Sequence, residues 1–309
     1  MNIGCIDATN WIKLRELTKG SRNKVWLINP LSVHAPVTKD VEVFLFKESH
    51  RRHPNEFWSE VITHQIGELV KVPTPETFCA KMGTKYGALI RFFLKVQGNK
   101  ILGSLNHGGD LILANHPDFD RTKGERHNIF FVQEVLEGKG RADLFQNFLQ
   151  IIVFDALIGN TDRHQDNWGF VLEDRKITGL TPAFDNSDSL GREIVEEKIP
   201  GFLESNGQRL RKYVIEGKPH IRWSEDGMHL EWVDHFEFLK RLSTKWPNVV
   251  RYIENQTKFK DAEVEAILTS IGSIKIDNPQ YLLSQNRIQF IKKIICLRRD
   301  ILKEIFNLS

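Results

Sequence analysis

DALIGNTDRHQDNWGFVLEDRKITGLTPAFDNSDSLG, residues 155–191, follows an apolar run with helical spacing and gathers its polar residues into two clusters. The first holds Asp162, His164 and Asn167 in a tight turn, and the second centres on Asp185. Between them, Trp168–Leu172 and Lys176–Leu180 read as two strands, with Glu173, Asp174 and Arg175 at the tip of a hairpin that brings the chain back to where it began. Two carboxylates and an amide collected in this order suit phosphoryl transfer. That chemistry asks a protein to hold a nucleophile in line and to neutralise phosphate charge, with little covalent work of its own. Asp162 has the place of the base that accepts the incoming hydroxyl proton, and Asn167, five residues later, that of a neutral oxygen ligand for Mg²⁺. Asp185 would be the main metal anchor, since a hard cation prefers oxygen ligands of this kind.

GNTDRHQDNWGF followed by LTPAFDNSDSL resembles the HipA-like serine/threonine kinases, in particular the short members without the extra amino-terminal subdomain. The string Asp-Arg-His-x-x-Asn at residues 162–167 is also similar to the catalytic loop of phosphatidylinositol kinases. The resemblance implies an α+β, two-lobed protein-kinase-like fold of the HipA and phosphatidylinositol 3/4-kinase type. It places a small β-rich lobe at residues 1–95 and a larger, mainly helical lobe at 96–309. It further implies ATP and Mg²⁺ as cofactors, a serine or threonine hydroxyl of a protein as acceptor, and autophosphorylation. By family analogy the chain would be the toxin of a toxin–antitoxin pair or an effector, with an antitoxin as partner and an aminoacyl-tRNA synthetase as one kind of acceptor. A lipid or small-molecule kinase with the same metal site, or a catalytically silent binding module, are the competing readings.

Upstream, Thr18–Asn23 is a turn ahead of the strand Val25–Ile28. With a single glycine the pattern alone reads as an ordinary strand-entering turn. The resemblance places a phosphate loop there, with Ser21 as the reactive, autophosphorylated serine and Lys24 as the downstream lysine. Val41–Phe46 alternates as a strand and delivers Lys47 at its end, where a lysine can reach phosphates if a carboxylate fixes its ammonium. Phe57, Val61, Ile62, Ile66 and Leu69 recur at helical spacing over Asn55–Leu69, behind Pro54. Glu60 in this helix is the partner favoured by the resemblance, with Glu56 as the fallback, and Lys47→Ala is expected to leave the fold intact. Val72–Phe78 and Tyr86–Phe93 read as further strands, with Arg91, Phe92 and Phe93 in the neighbourhood of adenine.

Residues 101–128 mix His107, His116, His127, Asp110, Asp118 and Asp120, but at no metal-ligand spacing, and read as a solvated loop or a substrate-facing insertion. Ala142–Ile158 has a broad apolar face and predicts the buried helix that carries the catalytic loop. Asp155 near its end opposes the helix dipole, so it calls for a partner, either loop backbone or Arg163. His164 either assists proton transfer or organises the loop backbone, and Asp166 reads as exposed. Asp188 is a second candidate neighbour of the metal. Beyond Trp223 the segments around Leu239–Leu242, Val249–Ile253, Val264–Ile271 and Asn286–Phe306 are amphipathic helices, the last with a basic face expected in solvent.

Forty per cent hydrophobic residues in a chain of 309 supply enough apolar side chains for a large core. Lys plus Arg number 43 against 40 Asp plus Glu, for a net charge of +3, too balanced for dedicated nucleic-acid binding. Cys5, Cys79 and Cys296 are scattered and odd in number, which reads as reduced thiols. No run is long enough to cross a bilayer, so a cytoplasmic location is expected, with secretion as an effector the other route.

Overall fold

Alternation of side chains along two short strands sets up the amino-terminal half of the site. In the computed structural model, which describes residues 4–17, 23–30, 42–50, 52–97, 100–124, 126–204 and 206–308, six strands form one sheet. They are β1 (Ile6–Asp7), β2 (Ile12–Leu17), β3 (Lys24–Ile28), β4 (Val43–Glu48), β5 (Thr77–Met82) and β6 (Lys85–Arg91), in the spatial order β1-β5-β6-β4-β3-β2. Every pairing is antiparallel except β1 with β5. Because successive side chains point to opposite faces, Val25, Leu27, Phe44 and Phe46 fill a small core with Trp11 and Leu89. Lys24, Trp26, Leu45 and Lys47 turn to the other face, with Lys24 directly opposite Lys47.

The helix after β4, α1 (Phe57–Val70), has no solvent face to speak of: eleven of its fourteen residues are buried. One side packs on β5 and β6, and the other meets Val264, Leu268 and Ile271 of the carboxy-terminal part, within a single apolar cluster. The chain then makes a small hairpin, β7 (Lys95–Gln97) and β8 (Lys100–Leu102), followed by β9 (Ser104–His107), α2 (Gly108–Asn115) and α3 (Ile129–Glu137). Next come α4 (Ala142–Ile158), β10 (Gly169–Glu173), β11 (Lys176–Leu180) and α5 (Ile199–Leu203). The remainder is helical: α6 (Gln208–Glu216), α7 (His235–Lys245), α8 (Asn248–Gln256), α9 (Asp261–Gly272) and α10 (Gln285–Ile305). This is the two-lobed α+β arrangement, a curled sheet on a helical body.

Helix α4 runs between two apolar clusters. Leu144, Phe145, Phe148, Leu149, Ile152 and Val153 enter one, while Ile151, Phe154, Leu157 and Ile158 enter the cluster shared with α1. The hairpin tip turns through Asp174 and Arg175, both at positive φ (49° and 63°), the backbone that a two-residue hairpin loop demands.

Several expectations are displaced. The strand expected at Val41–Phe46 is Val43–Glu48, so Lys47 lies within it, and residue 41 falls outside the described residues. Val72–Pro75 is irregular and the strand starts at Thr77, since Pro73 and Pro75 remove ladder donors. Residues 101–128 are not a plain loop: β9 joins β10 and β11 as a third strand, with His107 opposite Gly169. The basic side of α10 is only partly in solvent, because Arg287, Arg298 and Arg299 are buried. Arg298 donates from Nη1 to Ala156 O (2.9 Å) and from Nη2 to Val214 O (3.1 Å), satisfying carbonyls in the last turns of α4 and α6.

An apolar core shared between the two lobes predicts that they unfold together. Leu268→Ala, which empties part of the α1–α9 contact, should cost about 2–5 kcal/mol. Guanidinium unfolding followed by both fluorescence and circular dichroism should shift as one transition, and separate transitions would contradict the shared core.

Candidate active site

Helix α4 stops at Gly159, whose φ of +67° suits glycine, and a Cβ there would lie 2.9 Å from the Arg298 guanidinium carbon. The chain turns at once through the buried Asn160, which donates from Nδ2 to Asp155 Oδ1 (3.1 Å) and accepts from the Asp162 amide at Oδ1 (2.9 Å). Asp155 itself sits fully buried in the last turn of α4, where both burial and the helix dipole disfavour a carboxylate. Arg163 supplies the compensation. Its Nε donates to Asp155 Oδ2 (2.9 Å) and its Nη2 to Asp155 Oδ1 (2.7 Å), a two-pronged pair with both partners almost inaccessible.

The same guanidinium reaches the second cluster. Nη1 donates to the carbonyls of Asn167 (3.2 Å) and Phe184, and Nη2 to Asn186 Oδ1 (2.6 Å). The Asp162–Asn167 turn and the segment carrying Asp185 are therefore held by one side chain. Burial pushes the Asp155 carboxyl up, with Arg163 pulling the other way. For Arg163 burial opposes the charge, but Asp155, Asp185 and Glu60 outweigh it and keep the guanidinium protonated.

Lys47 is only 4% exposed and stands where the lobes meet. Its Nζ lies 2.7 Å from Glu60 Oε1, contacts Asp185 Oδ1, and donates to Ser187 Oγ (3.2 Å). Glu60 Oε2 accepts from the Asn186 amide (3.0 Å), so this carboxylate connects α1, the lysine and the Asp185 segment. Glu56, the fallback, is engaged elsewhere: it accepts from the His50 amide (2.6 Å) and pairs with Arg192. The Lys47–Glu60 pair is buried on both sides, so Lys47→Ala bears on stability as well as on ligand binding. Removing the cation leaves a buried carboxylate without its counter-charge, at a cost of about 3–5 kcal/mol.

Asn167 donates from Nδ2 to the Asp162 carbonyl (2.8 Å). A carbonyl only accepts, so this bond fixes which end of the amide is which and leaves Oδ1 as the end available to a ligand. Asp185 adopts a left-handed backbone, φ 56°, and its side chain is 24% exposed. Among the described residues no group of three or more His, Cys, Asp and Glu is placed to hold a metal. One amide oxygen and one carboxylate nevertheless fit Mg²⁺, which keeps much of its coordination for water and phosphate and needs few protein ligands.

His164 accepts the Asp166 amide at Nδ1 (3.1 Å), a bond of the backbone-organising kind. Its ring lies 6.0 Å from that of His220, whose pKa burial and the neighbouring His164 lower to about 4. Asp166 is not a free surface acid, since Arg121 pairs with it at 3.1 Å. Asp188 is held by Arg192 and accepts from Ser187 Oγ (3.2 Å). His127, from the region with no metal spacing, is fully buried and accepts from Trp168 Nε1 (3.1 Å) at the end of the loop.

A cavity of about 260 Å³ opens between the lobes beside Lys47. Of the expected residues, Lys24, Lys47, Glu60, Arg91, Phe92, Phe93 and Asp185 line it, whereas Asp162, His164 and Asn167 do not. Ser21 lies outside the described residues. Arg91 is engaged with Glu42 (2.9 Å) and Glu76 (3.0 Å), so it braces the rim. The aromatic pair contributes side chains to the wall: Phe92 packs edge-on to Trp26 (4.8 Å) and Phe93 against Phe184 (5.7 Å). Trp26, His64, Thr74, Phe184 and Asn186 were missed. The alternation Lys24-x-Trp26 could have placed Trp26 on the cavity face, while no sequence signal marks Thr74 or His64.

The comparisons with known proteins bear on the family and the fold. The family model described as HipA-like C-terminal domain matches residues 17–211, more than half of the chain. No curated protein matches by sequence. Among solved structures, the Helicobacter pylori proinflammatory kinase CtkA is similar over 98% of this chain and 97% of its own, with a TM-score of 0.76 at 17% identity. Shewanella oneidensis MR-1 HipA, solved with HipB and operator DNA as a toxin–antitoxin system, is similar over 97% of this chain and 69% of its own, with a TM-score of 0.51 at 13% identity. At such identities the likeness speaks for the fold alone. The matched family segment takes in Lys24, Lys47, Glu60, the Asp162–Asn167 turn and Asp185, and by that match the chain belongs to the HipA-like family.

Proposed function

We propose that the chain is an ATP- and Mg²⁺-dependent protein kinase that transfers the terminal phosphoryl group to a serine or threonine hydroxyl. The observation that carries this reading is Lys47, buried between Glu60 and Asp185 at the wall of the interlobe cavity, next to a segment that Arg163 ties to the Asp162–Asn167 turn. A buried lysine held by a carboxylate presents a positive charge in fixed orientation, the arrangement that positions nucleotide phosphates. Family membership supports the same reading, and the names of the two similar structures, a kinase and a toxin, point the same way.

In this reading Lys47 binds phosphate oxygens while Glu60 holds its ammonium. Trp26, Phe92, Phe93 and Phe184 offer apolar surface to the base. Asn167 and Asp185 hold Mg²⁺, which when bound neutralises phosphate charge. Asp162 accepts the proton of the acceptor hydroxyl as its oxygen bonds the terminal phosphorus and the bond from that phosphorus to the bridging oxygen breaks, releasing ADP, and Arg163 keeps Asp162 in register with the metal side chains. A protein acceptor, autophosphorylation at Ser21 and restraint by an antitoxin of the HipB kind belong to the same proposal. Action as an effector, of the kind the name of the H. pylori kinase suggests, is the other biological setting.

Two measurements test it. Radiolabelled ATP supplied with protein, phosphoinositide and aminoglycoside acceptors should label protein, and Asp162→Ala should lower the rate roughly 10²- to 10⁴-fold; equal rates in wild type and variant would overturn the assignment of the base. Activity should vanish with a chelator and return with Mg²⁺. Asp185→Asn should need roughly tenfold or more additional Mg²⁺ for half-maximal rate, the lower end of the loss expected when a metal site is weakened. An unchanged Mg²⁺ requirement would remove Asp185 from the metal site.

A further inference from the structure

The three cysteines are scattered in sequence, but the fold brings two of them side by side. Strands β1 and β5 run parallel with Ile6 opposite Ala80 and Asp7 opposite Lys81, which sets Cys5, one residue earlier, beside Cys79. Residues facing each other on adjacent strands are separated by roughly 5 Å, inside the range of about 4.4–6.8 Å that a disulfide spans between Cα atoms. Both side chains point into the same apolar cluster, Cys79 buried and Cys5 at its edge. Cys5 also lines a surface cavity of about 350 Å³ with Lys81, Tyr86 and Asp277, so a small oxidant can reach it. Cys296, on α10, is buried elsewhere.

We propose that Cys5 and Cys79 are a redox pair that closes to an intramolecular disulfide when the protein meets a peroxide-class oxidant. The Cys5 sulfur attacks one peroxide oxygen; the O–O bond breaks, and Cys5 sulfenic acid and one molecule of water (for hydrogen peroxide) are formed. The Cys79 sulfur then attacks the Cys5 sulfur, the S–OH bond breaks, and the hydroxide leaves as a second water with the Cys79 proton. Two thiols are oxidised and one peroxide is reduced to two waters, so the electrons balance. A thiol such as dithiothreitol reverses the bond by exchange. The local chemistry favours this order of attack. A hydrogen bond from Cys79 and the Lys81 ammonium draw the Cys5 thiol below its usual range against the effect of burial, while that hydrogen bond and burial push Cys79 up.

The bond would cross-link the edge strand to the sheet that carries Lys47, because Cys79 pairs with Ala88 and Ala88 with Lys47. The test uses the full chain, reduced and then treated with hydrogen peroxide. Alkylation under denaturing conditions should find free thiols falling from three to one, and peptide mapping without reduction should return a Cys5–Cys79 linked pair. The oxidised protein should melt roughly 5 °C higher, reversibly with dithiothreitol, as expected for a bond that closes a long loop. Cys296→Ser should behave like wild type, and Cys5→Ser should form no intramolecular bond. Cys5 recovered as sulfinic or sulfonic acid beside a free Cys79 thiol, or cross-links through Cys296 or between chains, would overturn the proposal. None of these readouts depends on kinase activity.

Discussion

A guanidinium removed from water at the end of α4 organises the centre of this molecule. Arg163 answers the one charge that α4 buries in its last turn, Asp155, and uses its remaining donors on Asn167, Phe184 and Asn186. Lysine could not substitute, because a point charge cannot bond two carboxylate oxygens in a plane while also reaching three other acceptors. An acid at a helix C-terminus is unfavourable on its own, and here that cost is offset by a side chain that also bonds both loops, the two ends that the β10–β11 hairpin brings together.

The second constraint is the contact between sheet and body. Glu60 belongs to a helix packed on both sides, so the carboxylate that holds Lys47 cannot shift without disturbing the core shared by α1 and α9. Lys47 is fixed from two directions, by α1 through Glu60 and by the Asp185 segment. That segment is in turn pinned to α10, where Arg287 donates to the carbonyls of Gly191 (3.0 Å) and Ile194 (2.5 Å) and pairs with Glu196. The result is a site whose charged groups are braced by the apolar core on one side and by α10 on the other, the kind of fixing under which charges act most strongly.

The sequence made the loop legible because the residues that carry its chemistry lie within one short stretch, and α4 legible because its apolar period ends at a glycine that can take a left-handed backbone. The need of Asp155 for a partner could be inferred from the helix dipole, although Arg163 and loop backbone stayed equal candidates until the geometry separated them. Residues 101–128 defeated the reading for a physical reason. β9 is a strand by virtue of pairing with β10, more than sixty residues away in the register Gly169↔His107, and its own four residues hold no pattern. The buried arginines of α10 were hidden in the same way, since their partners are carbonyls from distant turns. The cavity wall was half legible: period-two alternation predicts which of β3 and β4 face one side, but not that Thr74 and His64 close the other.

Arg163 acts as a tie between the two loops and not as one more buried charge. A double-mutant cycle on unfolding free energy, with Asp155→Leu, Arg163→Met and the two combined, measures this directly. Each single change leaves a buried charge unpaired and should cost about 3–5 kcal/mol. The combined variant should lose less than the sum by roughly 1–3 kcal/mol, while still losing more than a neutral replacement because the Asn167, Phe184 and Asn186 acceptors are left without their donor. Losses that simply add, or a combined variant as stable as wild type, would contradict it.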